Sequence, residues 1–302
     1  MGIGYQAAQL LCEYYSDKNN LPNNAKSIML GRHNIERLMP QKQKNAICSS
    51  YQNINKKNLS GYADNFIKEI GFAQVDSLDL TNFEGANKLF NLSIPLSSQN
   101  ANDIKNKYDA VFDFGTSEHV FSIATSIKNS LYMLKKNGAL IMSIPMTGFA
   151  DHGFFQVSPC FYYALNNNIF ELDRLYFYNH SNKTSKVLAF DALHEDFKKH
   201  LDGTYDGSFL ANVLSHSGKK FSSFAVLRKK SEDTLDDSDV IQPVYRAMTQ
   251  GNLTDDYISD SGYKHTFKLR VFKFLHKKIP EAIFSKIVLL TYKKSRLILS
   301  KH

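Results

Sequence analysis

Two rhythms of apolar residues run along this chain. Short runs rich in strand-forming residues recur at 26–31, 73–80, 88–92, 108–114, 139–144, 170–178, 187–190 and 221–227. Between them, at 3–15, 63–70, 120–134 and 160–166, apolar residues fall three and four apart, the spacing that gathers them on one helix face. The best-signalled unit is 108–145. Its strand stops at Gly115, and Val120, Ala124, Ile127, Leu131 and Leu134 then mark a helix face. Thr116 or Ser117 is placed to cap that helix, and Glu118 adds negative charge to its first turn. Lys135 and Lys136 fall in its last turn, with Gly138 at the left-handed position beyond. A second apolar strand follows and stops at Pro145. Such a strand–helix–strand unit requires parallel strands and a right-handed crossover.

Strands alternating with helices over 26–227 predict an α/β fold, Rossmann-like and doubly wound, with a mostly parallel sheet and helices on both faces. Ligands of such sheets sit at the carboxyl ends of the strands. That directs attention to residues 113–119 and 145–152.

The polar stretches divide the chain further. Residues 231–262 are acidic and turn-rich and read mainly as a linker, after an α/β domain over 1–230. The net charge of +8 belongs to the remainder, because 263–302 holds eleven Lys and Arg against the single acid Glu281. Residues 1–262 hold 26 basic and 28 acidic residues, which argues against a nucleic-acid-binding core. The tail places Phe267, Val271, Phe272, Leu275 and Ile279 on one helical face, and Pro280 opens a second basic helix. This pattern suits association with an anionic membrane surface or a protein partner, the alternative being packing on its own domain. Cys12, Cys48 and Cys160 have neither disulfide nor metal-ligand spacing, and no signal or spanning segment is evident, so a cytoplasmic setting is expected, with peripheral contact to the inner membrane face.

The block YDAVFDFGTSEHV, followed by SLYMLKKNGALIMSIP, is similar to class I S-adenosylmethionine-dependent methyltransferases. The wider stretch, through HGFFQVSP, looks like a bacterial branch whose genes lie among surface-polysaccharide functions. The resemblance implies S-adenosylmethionine as cofactor and a methyl acceptor that is a small molecule or a sugar, glycan or glycolipid precursor. It matches Gly31 to the glycine after the first strand and Asp79 to the acid that takes the ribose hydroxyls. It places Asn91 and Leu92 at the adenine, and Asp113, Phe114, Gly115, Thr116 and Glu118 beneath the methionine moiety. Arg32 could then pair with the methionine carboxylate.

The first loop, LGRHNIERL, offers one glycine where a dinucleotide's pyrophosphate needs several, which weighs against a nicotinamide enzyme. It also leaves open a methyltransferase-like module without catalysis that binds a membrane-associated partner.

If the acceptor is a hydroxyl, its proton must leave as the C–O bond forms. His152, beyond the fifth strand, is the candidate base, and His119 is a second candidate that could instead pack at a helix N-terminus. Asp151, Phe155 and Gln156 are candidate acceptor contacts. His33, His194, His200, His216 and His265 show no ligand spacing with cysteine or carboxylate pairs, so no metal site is expected.

Overall fold

The computed structural model describes residues 2–35, 39–180, 189–193, 220–250 and 297–298. Seven strands carry the fold: β1 Lys26–Leu30, β2 Gln74–Asp79, β3 Lys88–Leu89, β4 Tyr108–Asp113, β5 Leu134–Met142, β6 Phe170–Asn179 and β7 Phe221–Lys229. They lie side by side in the order 3-2-1-4-5-7-6. The ladders from β3 across to β5 are parallel. Strand β7 runs antiparallel to both β5 and β6. Dinucleotide-binding sheets follow the order 3-2-1-4-5-6. An antiparallel strand between the fifth and sixth sets this sheet apart. Beyond β6 the sheet gains the short strands Ala189–Asp191 and Leu297–Ile298.

The strand period of two divides the apolar residues between two faces. On one, Ile28, Leu30, Val111, Leu140 and Met142 pack with Ile127 and Leu131 of helix α4 (Ile123–Met133) and with Tyr162 and Leu165 of α5 (Pro159–Leu165). On the other, Met29, Ala110, Phe112 and Ile141 meet α1 (Tyr5–Ser16) and α3 (Asp64–Ile70). The core is therefore double, and the doubly wound expectation holds.

Details depart from the sequence reading where local hydrogen bonding overrides periodicity. Helix α4 begins at Ile123, because Ser117–His119 form a separate 3-10 turn. Its last residue, Met133, leads straight into β5, so Lys135 and Lys136 belong to that strand. The left-handed residue is Asn137, with φ of 66°. Gly138 serves a different need: a Cβ there would lie 2.9 Å from the Lys135 carbonyl and 3.1 Å from that of Tyr108.

Helix α2 (Gln41–Ser50) was not expected, since it buries only Gln43 and Ile47 and so shows no apolar stripe. The stretch read as linker contains helix α6 (Pro243–Thr249), docked by Arg246 Nη2 and Nη1 donating to the carbonyls of Ala164 and Asn166, both at 3.0 Å. The basic tail lies outside the described residues apart from 297–298. Among the described residues no helix is long and apolar enough to cross a membrane.

Candidate functional site

Parallel strands bring the ends of β1, β2, β3, β4 and β5 to one edge of the sheet. At the end of β1, Gly31 takes a φ of 74° and donates its N–H to the Leu78 carbonyl at 2.6 Å, so the chain turns off the sheet at once. Next to it His33 is fully buried, its Nε2 3.2 Å from both the Phe112 carbonyl and the Phe114 N–H. Burial pushes its pKa down to about 4, which keeps the imidazole neutral. His33, set aside in the sequence for lack of ligand spacing, thus fastens the first loop to the end of β4.

Strand β4 ends in Asp113, which is fully buried. Its Oδ1 accepts the N–H groups of Thr116 at 2.9 Å and Ser117 at 3.2 Å. Thr116 and Ser117, expected to cap the helix, do not reach α4; their own N–H groups are held by Asp113 at the 3-10 turn before it. The Thr116 hydroxyl donates to the Leu30 carbonyl, and the Ser117 hydroxyl pairs with Ser126 at 2.7 Å. Asp113 Oδ2 has no hydrogen-bond partner, and burial holds this carboxyl above its ordinary pKa.

The turn aims Glu118 inward. It is 1% exposed and its Oε2 also lacks a partner. Burial, helped by the Asp113 charge, raises its pKa to about 8. Glu118, expected in the first turn of the helix, lies instead in the 3-10 turn that precedes α4.

The segment after β5 closes over this carboxyl. Its ends are tied by Val157 N–H to the Pro145 carbonyl at 3.0 Å, and its tip by Phe154 N–H to the Glu118 carbonyl at 2.7 Å. Gly153, with φ of 68°, permits the approach, since a Cβ there would sit 2.9 Å from the Glu118 carbonyl oxygen. His152 is thereby delivered to Glu118, with Nε2 3.7 Å from Oε1, and His119 Nε2 lies 3.9 Å from the same oxygen. The two imidazoles meet edge to face with centroids 4.9 Å apart, and both stand exposed at the surface. Beside them Phe121 and Phe154 form an exposed edge-to-face pair at 5.9 Å.

The remaining predicted residues divide. Asp79, half-buried at the end of β2, accepts the Leu80 N–H and forms no ion pair among the described residues. Asn91 follows β3 and caps its own turn through Ser93, while Leu92 is buried in the core. Arg32 lies on the Tyr62 ring at 4.2 Å, 3.3 Å from Asp64, and donates to the Glu84 carbonyl at 2.9 Å, so protein groups already meet the guanidinium intended for a ligand carboxylate. Phe155 is half-buried, with its N–H on the Glu118 carbonyl at 3.2 Å. Gln156 accepts the Phe149 N–H at 3.0 Å, bracing its own loop, and Asp151 is exposed at the turn. Gly153, Phe121 and His33 were missed. For Gly153 the signal was a glycine beside a candidate base, whereas nothing local distinguished the other two.

A cavity of about 360 Å³, lined by Leu96, Lys105, Asn129, Tyr132, Lys229 and Leu235 among others, opens at the opposite, amino end of the parallel strands. The carboxyl-end cluster carries the reactive groups, and the cavity does not reach it.

No family model and no curated protein matches the chain. Solved structures do. A putative sarcosine dimethylglycine methyltransferase from Galdieria sulphuraria is 15% identical, over 75% of this chain and 85% of that one, with a TM-score of 0.40. The [4+2]-cyclase SpnF is 11% identical over 74% and 80%, at 0.38. The StiE O-methyltransferase region is 11% identical over 81% and 80%, at 0.37. These likenesses are remote, and the fold itself is read from the strand order and the two-faced core.

Proposed function

We propose that this chain is an S-adenosylmethionine-dependent methyltransferase acting on a hydroxyl or amine of a sugar, glycan or glycolipid precursor. The observation that carries the reading is the pair of buried carboxylates, Asp113 and Glu118, each with one unpartnered oxygen, beneath a loop that presents His152. A buried carboxylate without a partner is costly, and a cationic ligand removes the cost. The cofactor is such a ligand, with a sulfonium and an α-ammonium group. The mostly parallel sheet with helices on both faces agrees with the doubly wound fold that the resemblance implies.

The donor set fits the cofactor. Asp79 offers a carboxylate to the ribose hydroxyls, Gly31 turns the first loop away from the sheet edge, and residues 113–117 give a floor that is acidic at Asp113. When bound, the cofactor supplies an activated methyl group. The chain's own residues orient the acceptor and remove its proton. Around the acceptor, Phe121 and Phe154 offer an apolar platform of the kind on which the C–H face of a sugar packs, and the Glu118–His119–His152 cluster is where the acceptor's proton is released.

Calorimetric titration of the full chain with S-adenosylmethionine tests the reading. Saturable 1:1 binding, weakened at least tenfold by Asp79→Ala and changed less than twofold by His152→Ala, is expected. Absence of heat and of any thermal shift at millimolar cofactor overturns it.

A further inference from the structure

We propose that Glu118, His119 and His152 bind one divalent transition-metal ion of the zinc, cobalt or iron(II) class, whose open positions take the acceptor's oxygen. The proposal deepens the methyltransferase reading and rests on it for the acceptor, but not for the metal.

One oxygen and two imidazole nitrogens lie within 4.8 Å of one another. Direct pairing does not explain the grouping. The separations from Glu118 Oε1, 3.7 Å to His152 and 3.9 Å to His119, exceed the reach of a hydrogen bond. An ion bonded at about 2.0–2.1 Å to each of three ligands keeps them about 3.3 Å apart in tetrahedral geometry. The two separations from Glu118 Oε1 therefore need to shorten by about half an ångström to hold one, and that between the imidazole nitrogens, which lie within 4.8 Å, by at most about 1.5 Å.

Glu118 supplies an independent sign. Its carboxyl is 1% exposed and Oε2, the oxygen beside the one the imidazoles approach, has no protein hydrogen-bond partner, so the chain leaves this buried group to be completed from outside. Two further features hold the ligands in place. Phe154 and Phe155 N–H groups fix the Glu118 carbonyl, and Gly153 lets the loop approach closely enough for His152 to face the carboxylate. These are backbone restraints, so the arrangement does not depend on long side chains finding each other.

Two imidazoles and one carboxylate select a borderline metal over magnesium or calcium, which prefer all-oxygen shells. With three protein ligands, coordination positions remain, and the half-exposed imidazoles set them toward solvent, beside Phe121 and Phe154. An acceptor hydroxyl bound there has its pKa lowered by the ion, and its proton passes to water. His119 and His152 are then neutral ligands, and the ion does the work that a free imidazole base would otherwise do. No oxidant or reductant is involved.

The experiment uses chelator-stripped full-length protein titrated with Co²⁺, followed by visible d–d absorption, and with Zn²⁺ by calorimetry. One site per chain is expected, with the absorption intensity of a four- or five-coordinate ion. Glu118→Gln and His119→Ala should each weaken it at least 100-fold while His180→Ala leaves it unchanged; circular dichroism confirms that all variants are folded. Weak multisite binding that survives Glu118→Gln and His119→Ala overturns the proposal. S-adenosylmethionine affinity, measured on stripped protein in parallel, separates the two readings. Cofactor binding without a metal site leaves a metal-free methyltransferase, whereas a metal site without cofactor binding removes the methyltransferase reading alone.

Discussion

A buried carboxylate lies near each end of strand β4, Asp76 of β2 at its start and Glu118 in the turn beyond its finish, and the chain treats the two oppositely. At its start, the Tyr108 hydroxyl donates to Asp76 at 2.6 Å, joined by Gln74 at 2.8 Å, Asn87 at 2.9 Å and the Lys107 ammonium at 3.8 Å. Burial pushes Asp76 up, yet the hydrogen bonds from Tyr108, Asn87 and Gln74, with the charge of Lys107, outweigh it and hold the carboxyl below its ordinary range. Beyond the other end, Glu118 is buried as deeply, receives no such donors and is held well above its ordinary range. One end is saturated and contributes to stability. The other is left incomplete, which is how a structure keeps binding capacity.

The contrast can be broken in several ways, taken from the largest effect down. Measured as S-adenosylhomocysteine released with simple glycosides as acceptors, turnover should fall at least 100-fold in His152→Ala, with the unfolding midpoint unmoved. Asp76→Ala should do the reverse, lowering stability by about 3 kcal/mol in urea unfolding, because Tyr108 and Lys107 lose a shared buried partner. An Asp76 variant as stable as the parent would end the claim that the two ends differ in kind.

His33 gives the pH dependence. Its folded pKa is depressed to about 4 from an ordinary 6.5, so its contribution is present above pH 6.5 and lost as pH falls through 4. The loss, up to about 3 kcal/mol, should appear as a falling urea midpoint between pH 6.5 and 4, with a shallower slope in His33→Gln. Gly153→Ala should cost about 1–2 kcal/mol, since it adds a Cβ at a positive φ against the Glu118 carbonyl, and it should disturb the cluster before it disturbs the sheet. The smallest effect has the opposite sign. In metal-free protein Glu118→Gln should raise stability by roughly 1 kcal/mol at pH 9, where the native carboxylate is charged and unpaired.

How much of this was readable from the chain follows the same division. The sheet declared itself through local signals: apolar runs, the glycine after β1 and the periodic face of α4 all act within a few residues. Asp113 and Glu118 were visible as residues at a strand end. Their burial was not, because it depends on the loop that arrives from beyond β5. Glu118 and His152 stand 34 positions apart, a separation that no spacing rule for metal or catalytic pairs covers. Helix α2 escaped notice for the converse reason, since a helix that buries two residues writes almost nothing in the pattern.

The antiparallel β7 has a further consequence. Because β6 runs with β5 and β7 runs back, the end of β6 and the start of β7 lie at the edge where the candidate site lies. These two stumps meet there: His180 N–H donates to the Lys220 carbonyl at 2.9 Å, and the His180 ring stands 5.3 Å from Phe149 in the loop that carries His152. The junction closes the ladder on this side, and between the two stumps Ala189–Asp191 rejoins the sheet against β6, with the Ala192 N–H donating to the Leu175 carbonyl at 2.8 Å. The position of the loop that carries His152 is thereby tied to the pairing of β6 with β7, strands that lie beyond β5 and take no part in the first loop.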